Sequence, residues 1–529
     1  MERVSMSQAG LEGKLKKVVE KIFEAGYQIE GEAFILLQTL LKSSKPEKVI
    51  ELTLEEVRKT PEKIFVDKET MEKVYAKLSF LEEEVETSKT QTPTLTHEKV
   101  EEAETGKDVW HPYAKEVEDK VEVLKDPTKF LASAGDLENF NRYFRDRFKR
   151  LLKILSQRMD VRGYLTVGDV LNERNGVRVK VVGMVSDKVS RGKRIFITLE
   201  DFEANITVLI QPDKPDLVEK AQQVFLDQVI CVVGFKSTNS LIVAEDLVFP
   251  DIPYHKPSRS KEPVSVLLTS DFHVGSKAFE EKLVNRLLAW LKGKIGGERE
   301  RELAGRVKYL VIAGDLVDGV GLYPQQEKEL EIKDIYSQYR AAAKIFEQIP
   351  DYVKIVVAPG NHDASRKTLP QPAIQKRFAE PVYQFSNLVM VGNPSQVRLH
   401  GVNVLIHHGR SLEDALVTLP NVNHHNVARA MASFLKVRHL APIYGGKTPI
   451  APEPRDWMVV EQVPDIYHSG HIHVFDYLTY RGVWIINSGC WQRQTSYQKK
   501  MGITPIYGVA PLINLQTLNL TPIDFKTIG

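Results

Sequence analysis

Five short stretches in the C-terminal half of the chain combine histidine, aspartate and asparagine at spacings that suit metal binding. They are Asp271-x-His273, Asp315-x-x-Asp318, Asn361-His362-Asp363, the doublet His407-His408 and His471-x-His473. In the first and last stretches, two residues with one residue between them point the same way on an extended chain and can hold one ion. Imidazole, carboxylate and amide ligands suit Mn, Fe or Zn and suit copper(I) poorly. These stretches contain no cysteine, which excludes a thiolate zinc finger.

Each of these stretches follows a short apolar run that predicts a buried strand. The runs are residues 264–270, 308–313, 354–360, 402–406 and 464–469. Open α/β sheets carry their sites at the carboxyl ends of strands. The sequence therefore predicts an α/β domain in which five strand ends bring the polar residues into one metal centre.

The order of the five motifs resembles that of the calcineurin-like metallophosphoesterases. Two longer stretches, residues 314–327 and 360–374, narrow the resemblance to the small subunits of archaeal family D DNA polymerases. The resemblance covers about residues 160 to 520. It implies a multidomain protein in which an OB-fold β-barrel is joined to a four-layer α/β/β/α metallophosphoesterase sandwich.

The same resemblance implies a site for two divalent metal ions, for which we expect manganese, with Fe, Zn or Mg as alternatives. Asp315 would bridge the two ions. The remaining ligands of the first ion would be Asp271, His273 and His473. The remaining ligands of the second ion would be Asn361, His471 and one histidine of the doublet. The position directly before glycine favours His408 over His407. Two such ions clamp a phosphodiester and activate water for in-line attack.

The resemblance also assigns a role in proton transfer to the third motif. His362 would be the general acid at the leaving 3′-oxygen, positioned by Asp318, with Asp363 as the alternative orienting residue. Arg366 and Arg410 follow the third and fourth motifs closely, and they are candidates for holding phosphate oxygens. The alternative for both arginines is an ordinary solvated charge on a loop.

Composition limits the classes of protein that fit. A length of 529 residues allows about three domains, and 42% hydrophobic content supports real cores. The formal net charge of +2 means that any nucleic-acid binding depends on local basic patches. Two cysteines, Cys231 and Cys490, are too few for a disulfide framework. With no signal peptide and no apolar run of membrane-spanning length, we expect a cytoplasmic protein without membrane association.

Changes in residue pattern along the chain predict five segments. They are a small helical module (1–82), a flexible acidic linker (83–125), a connecting helix (126–160), an OB-fold (161–255) and the phosphoesterase domain (263–525). An apolar stripe marks the helical module, with the residues Leu11, Leu15, Val18, Val19, Ile22 and Phe23. Since the linker would tether this module, we expect it to reach a partner such as a sliding clamp or primase.

The two central segments contain the candidates for DNA binding. Asp136 is the predicted N-cap of the connecting helix, whose basic face would contact DNA or solvent. Three strands, a helix capped by Asp216 and two more strands predict the OB-fold. The basic residues of its first hairpin are Lys188, Arg191, Lys193 and Arg194, and the aromatic candidates for base stacking are Phe196, Phe202 and Phe235. The alternative is a purely structural or subunit-binding barrel.

Three functions are compatible with these observations. The first is a 3′-to-5′ exonuclease that proofreads single-stranded or mismatched 3′ ends as the partner of a large catalytic polymerase subunit. The second is an inactive scaffold of that polymerase. The third is a stand-alone phosphodiesterase. Every implied ligand position is filled, which favours the exonuclease over the scaffold, and the barrel together with the longer motifs disfavours the third function.

Overall fold

The computed structural model describes residues 110–500 and 502–528 and, before them, separate positions between residues 14 and 74 that include the run 46–58. The chain divides into two compact units, residues 1–107 and 108–529.

The described part of the first unit contains the predicted helical core and a strand pair. Helix α1 spans Pro46–Arg58. Strand β1 (Gln28–Ile29) pairs in parallel with β2 (Phe65–Val66), which the sequence did not predict because two-residue strands are too short to show a period. Val18 and Ile22 of the predicted stripe are fully buried. Two members of that stripe, Leu11 and Phe23, lie outside the described residues.

The second unit begins earlier in the chain than predicted. Trp110 packs against its core, helix α2 spans Tyr113–Glu116, and strand β3 (Val121–Lys125) pairs antiparallel with β13 (Ser395–Leu399). The predicted linker of residues 83–125 is therefore wrong from residue 110 onward. The charged residues of this stretch are typical of a linker. Residues 121–125 nevertheless form a strand, because they pair with β13, which is distant in the sequence.

The connecting helix, α3 (Leu137–Ser156), has the predicted cap, because the Asp136 side chain accepts a hydrogen bond from the Asn139 N–H. Its basic face is only partly exposed. Arg147 is fully buried in an ion pair with Asp456, with 2.8 Å between Nε and Oδ2. A shorter helix, α4 (Val167–Asn172), follows and is capped by Thr166.

A closed five-stranded barrel comes next, in the predicted element order. Its strands are β4 (Arg178–Arg191), β5 (Arg194–Glu200), β6 (Asn205–Ile210), β7 (Val229–Thr238) and β8 (Leu241–Val248), and they are arranged β4-β5-β6-β8-β7. Helix α5 (Pro215–Gln222) lies between β6 and β7. The predicted Asp216 cap is wrong, since Lys214 is the N-cap and caps no N–H with its side chain. Pro215 suits the first helical position because that position needs no N–H donor.

Two six-stranded sheets form the rest of the unit. The strands not yet given are β9 (Ser265–Thr269), β10 (Val307–Ala313), β11 (Lys354–Ala358), β12 (Leu388–Met390), β14 (Val402–Ile406), β15 (Ile466–Ser469), β16 (Phe475–Tyr480), β17 (Val483–Ser488), β18 (Val509–Asn514) and β19 (Leu520–Asp524). The first sheet has the order β12-β11-β10-β9-β18-β19, and the second has the order β16-β17-β15-β14-β13-β3.

Helices flank the two sheets. They are α6 (Glu281–Leu291), α7 (Glu298–Gly305), α8 (Ile335–Phe346), α9 (Lys376–Ala379), α10 (Leu412–Thr418), α11 (Val427–Val437) and α12 (Ser496–Lys500), with short 3-10 turns at Gln326–Lys328, Val382–Gln384 and His424–Asn426. Apolar residues of both sheets, such as Val311 and Val404, share one core. Leu287 of α6 packs with the opposite face of the first sheet, and Phe434 of α11 packs in a core with Tyr467 of the second sheet. The layers therefore run helix, sheet, sheet, helix.

Within the described residues, no helix combines the length and apolar character that crossing a bilayer requires.

Candidate metal centre

The five predicted motifs meet at one place, where β9, β10, β11, β14 and β15 end. Three groups of side chains each have their ligand atoms within 4.8 Å of one another. They are Asp271 with His273 and His473, His273 with Asp318 and His362, and Asp315 with His408 and His471. The predicted convergence of strand ends is therefore present in the structure.

Five of the implied ligands adopt a left-handed backbone conformation. Their φ angles are 53° at Asp271, 53° at His273, 52° at Asp315, 69° at His471 and 60° at His473. This conformation costs a residue other than glycine on the order of 1–3 kcal/mol and is concentrated at functional sites. It turns each side chain from the end of its strand toward the common cluster.

The first group contains a carboxylate oxygen that lacks a hydrogen-bond partner. Asp271 Oδ1 is buried without one among the described residues, although it lies 3.5 Å from His473 Nε2. The other oxygen, Oδ2, accepts a 2.9 Å hydrogen bond from the His471 N–H. His273 Nε2 faces His473 Nε2 at 3.1 Å. An unpaired carboxylate oxygen beside two converging imidazole nitrogens fits a divalent cation.

The second group is arranged around His408. Its Nε2 lies 2.9 Å from Asn361 Oδ1 and 3.3 Å from His471 Nδ1. Because Nδ1 donates to the Ala313 carbonyl at 2.8 Å, Nε2 is the ring nitrogen that faces the cluster. Burial opposes a charge on His408, but Asp315 outweighs it and raises the pKa of His408 to about 9. The group therefore attracts positive charge strongly.

Asp315 faces both groups. Its Oδ2 lies 3.3 Å from His408 Nε2 and 3.8 Å from His273 Nε2, while its Oδ1 accepts the His362 N–H at 2.7 Å. Burial alone would raise the pKa of Asp315, but His408 and the other histidines hold it well below its ordinary value. This position fits the bridging role that the resemblance implied.

The two histidines of the doublet point to different places. His407 is fully buried, and its Nδ1 lies 3.1 Å from the Tyr467 hydroxyl. Burial lowers the pKa of His407 to about 3, so it is neutral. The structure thus places His408, and not His407, among the candidate ligands.

Asp318 contacts His362 in a different way from the one predicted. Its main-chain oxygen accepts from His362 Nδ1 at 2.7 Å. Its carboxylate instead contacts His273 Nδ1 at 3.0 Å and accepts from the side-chain amides of Gln326 and Gln492 at 3.2 and 3.1 Å. The Asp318 carboxylate therefore orients His273, and its carbonyl orients His362.

Asp363, the alternative orienting residue, has a structural position. Its carboxylate accepts from the main-chain N–H groups of Gly360 at 2.9 Å and of Leu316 and Val317 at 3.3 Å each. Burial raises the pKa of Asp363 to about 6, with Asp315 as a further cause. These bonds join the loop of the third motif to the loop of the second motif.

The structure does not support Arg366 as a free phosphate-binding residue. Its Nη1 is 2.6 Å from Oε1 of the fully buried Glu453, and its Nε donates to the Pro370 carbonyl at 2.6 Å. Arg410 is half-buried at the edge of the cluster, where its Nη1 donates to the Lys367 carbonyl at 3.1 Å. Arg366 thus anchors a loop, whereas Arg410 stays a candidate.

Residues outside the motifs support the ligands and were missed in the sequence. Glu413 Oε1 is 2.9 Å from His471 Nε2, and Gln498 Nε2 is 2.8 Å from His473 Nδ1. The contact with His471 lowers the pKa of Glu413 to about 2. Neither residue has a sequence signal, because Glu413 lies in the first turn of a helix where acidic residues are common.

The basic candidates of the barrel hairpin divide into two kinds. Lys188 Nζ donates to the carbonyls of Gln222 at 3.2 Å and Val224 at 2.6 Å, so it is engaged at the end of helix α5. The other three, Arg191, Lys193 and Arg194, are exposed.

The predicted stacking residues differ in their surroundings. The guanidinium carbon of Arg191 lies 5.7 Å from the ring centre of Phe196. Phe202 packs on Phe148, with ring centres 4.9 Å apart, while Phe235 is 41% exposed. Phe202, at 44%, and Phe235 are therefore similarly exposed, and Phe202 is the one that packs on another ring.

Comparison with known proteins gives the class of this fold and site. Residues 266–475, which include the described motifs up to His473, match the family model for the B subunits of DNA polymerases alpha and epsilon. The chain is 42% identical over 388 residues to the DNA polymerase II small subunit of Archaeoglobus fulgidus, covering 73% of this chain and 77% of that protein. It is 38% identical over 400 residues to that of Methanothermobacter thermautotrophicus, covering 75% and 82%.

The chain belongs to the family of archaeal DNA polymerase II small subunits, which confirms the family predicted from the motifs. A third relative, from Pyrococcus furiosus, is 39% identical over 393 residues, which cover 74% of this chain. The chain spans about two thirds of the length of its Pyrococcus relatives, with 64%, 68% and 63% covered.

Proposed function

We propose that this chain is the 3′-to-5′ exonuclease subunit of an archaeal replicative DNA polymerase. It hydrolyses DNA phosphodiesters with two divalent ions, for which we expect manganese, and it works beside a large catalytic subunit on another chain. The observation that supports this most is the position of Asp315 Oδ2, which faces a ligand group on each side.

The donor set fits two divalent ions. One ion would be held by Asp271, His273 and His473. The other would be held by Asn361, His408 and His471, and Asp315 would contact both ions. When bound, the ions supply Lewis acidity toward the phosphodiester and activate water for attack on phosphorus. Family membership alone is equally compatible with an inactive scaffold, but the unpaired Asp271 Oδ1 supports a site built for cations.

His362 is the residue of this chain placed to move a proton. Its Nδ1–H bond to the Asp318 carbonyl leaves Nε2 as the group that faces a substrate. Burial lowers the pKa of His362 to about 4 in the free protein, where the imidazole is neutral at pH 7. It donates a proton to the leaving 3′-oxygen once the negative charge of the bound phosphodiester raises that pKa.

The surrounding architecture supports the same proposal. Two facing sheets between helices suit a calcineurin-like metallophosphoesterase domain, and the barrel has the element order of an OB-fold. The exposed hairpin with Arg191, Lys193 and Arg194 is our candidate for contact with the phosphates of a single strand. The N-terminal unit is the candidate for binding a sliding clamp or primase.

The test uses Mn-dependent degradation of a 5′-labelled single-stranded DNA, with the bound metal measured in parallel. We expect the wild type to give a ladder of products shortened from the 3′ end. Asp315→Ala should lose both the ladder and bound metal, whereas His362→Ala should lose the ladder and keep the metal. His425→Ala, a change at an exposed histidine outside the cluster, serves as the matched control.

Two other results would replace this proposal. If no products form even with the large subunit present, the chain is a scaffold. Cleavage of p-nitrophenyl phosphate without any action on DNA would identify a stand-alone phosphodiesterase.

A further inference from the structure

We propose that Lys367 is the phosphate-binding residue of this chain, with its ammonium group on a non-bridging oxygen of the phosphodiester at the metal centre. This inference rests on the proposed function and names the cation that recognises its substrate. The sequence motifs gave Lys367 no role.

The contacts of Lys367 place its charge beside the candidate ligands. Nζ donates to the Asn361 carbonyl at 2.6 Å and to the Asp363 carbonyl at 3.3 Å. The side chain thus bends back over the loop that carries Asn361 and His362. An ammonium group has three N–H donors, so these two bonds leave one donor for a ligand.

The residue is also open to an incoming strand. Lys367 is exposed although its ammonium is bound to two carbonyls. Partial burial of the ammonium lowers the pKa of Lys367, and the carboxylates of Asp315 and Asp363 oppose that change. A lysine held in place by carbonyls loses less side-chain entropy on binding phosphate than a free one does.

The neighbouring cations cannot take the same place. Arg366 is bound to Glu453, whose other oxygen accepts the N–H groups of Ala132 and Ser133 at 2.8 and 3.1 Å. Arg410 donates to the carbonyl of Lys367 itself. Arg366 therefore fixes the far end of the loop and Arg410 braces Lys367, which leaves the lysine ammonium next to Asn361.

Binding a phosphate and bracing the loop predict different results when the charge is removed. Lys367→Gln keeps N–H donors for the two carbonyls but loses the positive charge, and Lys367→Arg keeps the charge. Lysine binds phosphate as a point charge, and a hydrogen bond to a charged group is stronger than one between neutral groups. We therefore expect phosphate affinity to follow the charge and not the bond to the carbonyls.

The experiment measures binding of inorganic phosphate to the full chain loaded with Mn²⁺, by calorimetry, with bound Mn²⁺ determined for every variant. We expect Lys367→Gln to weaken phosphate binding about tenfold or more, and Lys367→Arg to stay within a few-fold of the wild type. Lys376→Ala, an exposed lysine on helix α9, is the control and should change nothing.

Three results would overturn the inference. The first is that Lys367→Gln binds phosphate as tightly as the wild type. The second is that Lys367→Gln loses bound Mn²⁺ while each site that still holds Mn²⁺ binds phosphate with unchanged affinity. The third is that the wild type binds no phosphate. Failure of the proposed exonuclease looks different, since the wild type would then bind phosphate in a charge-dependent way yet release nothing from labelled DNA.

Discussion

At the scale of single residues, the candidate ligands depend on neighbours that fix their ring orientation. His408 is held by the Ala313 carbonyl, His473 by the Gln498 amide and His471 by Glu413. A hydrogen bond to one imidazole nitrogen decides which nitrogen is left for a metal, and such partners tune metal affinity. The chemistry therefore rests on a wider set of residues than the five motifs.

Glu413→Ala tests this dependence. We expect the variant to bind Mn²⁺ roughly 10- to 100-fold more weakly than the wild type, because His471 loses the carboxylate that orients it. Metal titration of the purified chain measures the change, and DNA cleavage should recover at high Mn²⁺. Glu380→Ala, at an exposed site, is the control. Equal affinities in all three proteins would show that Glu413 has no such role.

At the scale of elements, the turn after β11 matters as much as the ligands on it. A Cβ at Gly360 would lie 2.6 Å from the Asp315 main-chain nitrogen and would also overlap the Asp315 carboxylate. We expect Gly360→Ala to displace Asp315, to lower bound Mn²⁺ and to destabilise the fold by roughly 1–3 kcal/mol.

Gly297→Ala is the matched control for that substitution, since a Cβ there meets only the flexible end of Glu300 at 2.9 Å. The measurements are the metal content and the thermal unfolding of both variants, and only Gly360→Ala should lose metal and stability. If Gly360→Ala keeps full metal content, the close approach of the two loops is not needed to position Asp315.

The elements also show what the sequence could and could not predict. Continuous apolar runs predicted β9, β10 and β11, because a strand buried on both faces has no polar alternation. Strand β3 was missed, since its five residues follow a charged stretch that is typical of a linker and its stability comes from pairing with β13. The ion pair of Arg366 could not be predicted, because its partner, Glu453, is 87 residues away and no spacing rule connects them.

At the scale of the whole second unit, a buried charge network links its parts. Arg147 on helix α3 binds Asp456 and donates to the carbonyls of Asp227, in the barrel region, and Pro442 at 3.1 and 2.6 Å. His439 Nδ1 accepts from the Ala441 N–H at 3.1 Å, so its Nε2–H donates to Asp456 at 2.8 Å. The network therefore needs a neutral His439 and an ionised Asp456.

This network predicts acid sensitivity. Burial and the nearby Arg147 lower the pKa of His439 to about 4, against about 6.5 in an unfolded chain. Between these values the unfolded state binds more protons, so the free energy of unfolding falls as pH falls. Despite its burial, the pKa of Asp456 is held below its usual value by His439 and Arg147. Protonation of Asp456 therefore lowers the free energy of unfolding further at lower pH.

His439→Gln isolates the contribution of the histidine. The variant cannot take up this proton, so the stability gap between wild type and variant should shrink by up to about 2 kcal/mol from pH 7 to pH 5. Denaturant unfolding at several pH values measures it. A gap that stays constant over this range would mean that His439 does not set the acid response.

Residues 108–529 should fold and bind metal without the N-terminal unit. They form a separate compact unit that contains every candidate ligand and the shared core between the two sheets. We expect a chain of residues 108–529 to match the full chain in Mn²⁺ affinity, in the thermal transition of this unit and, within about twofold, in the rate of DNA cleavage. The same truncation with Asp315→Ala is the inactive control. Aggregation or loss of bound Mn²⁺ in the truncated chain would show instead that the N-terminal residues are needed for the metal centre to form.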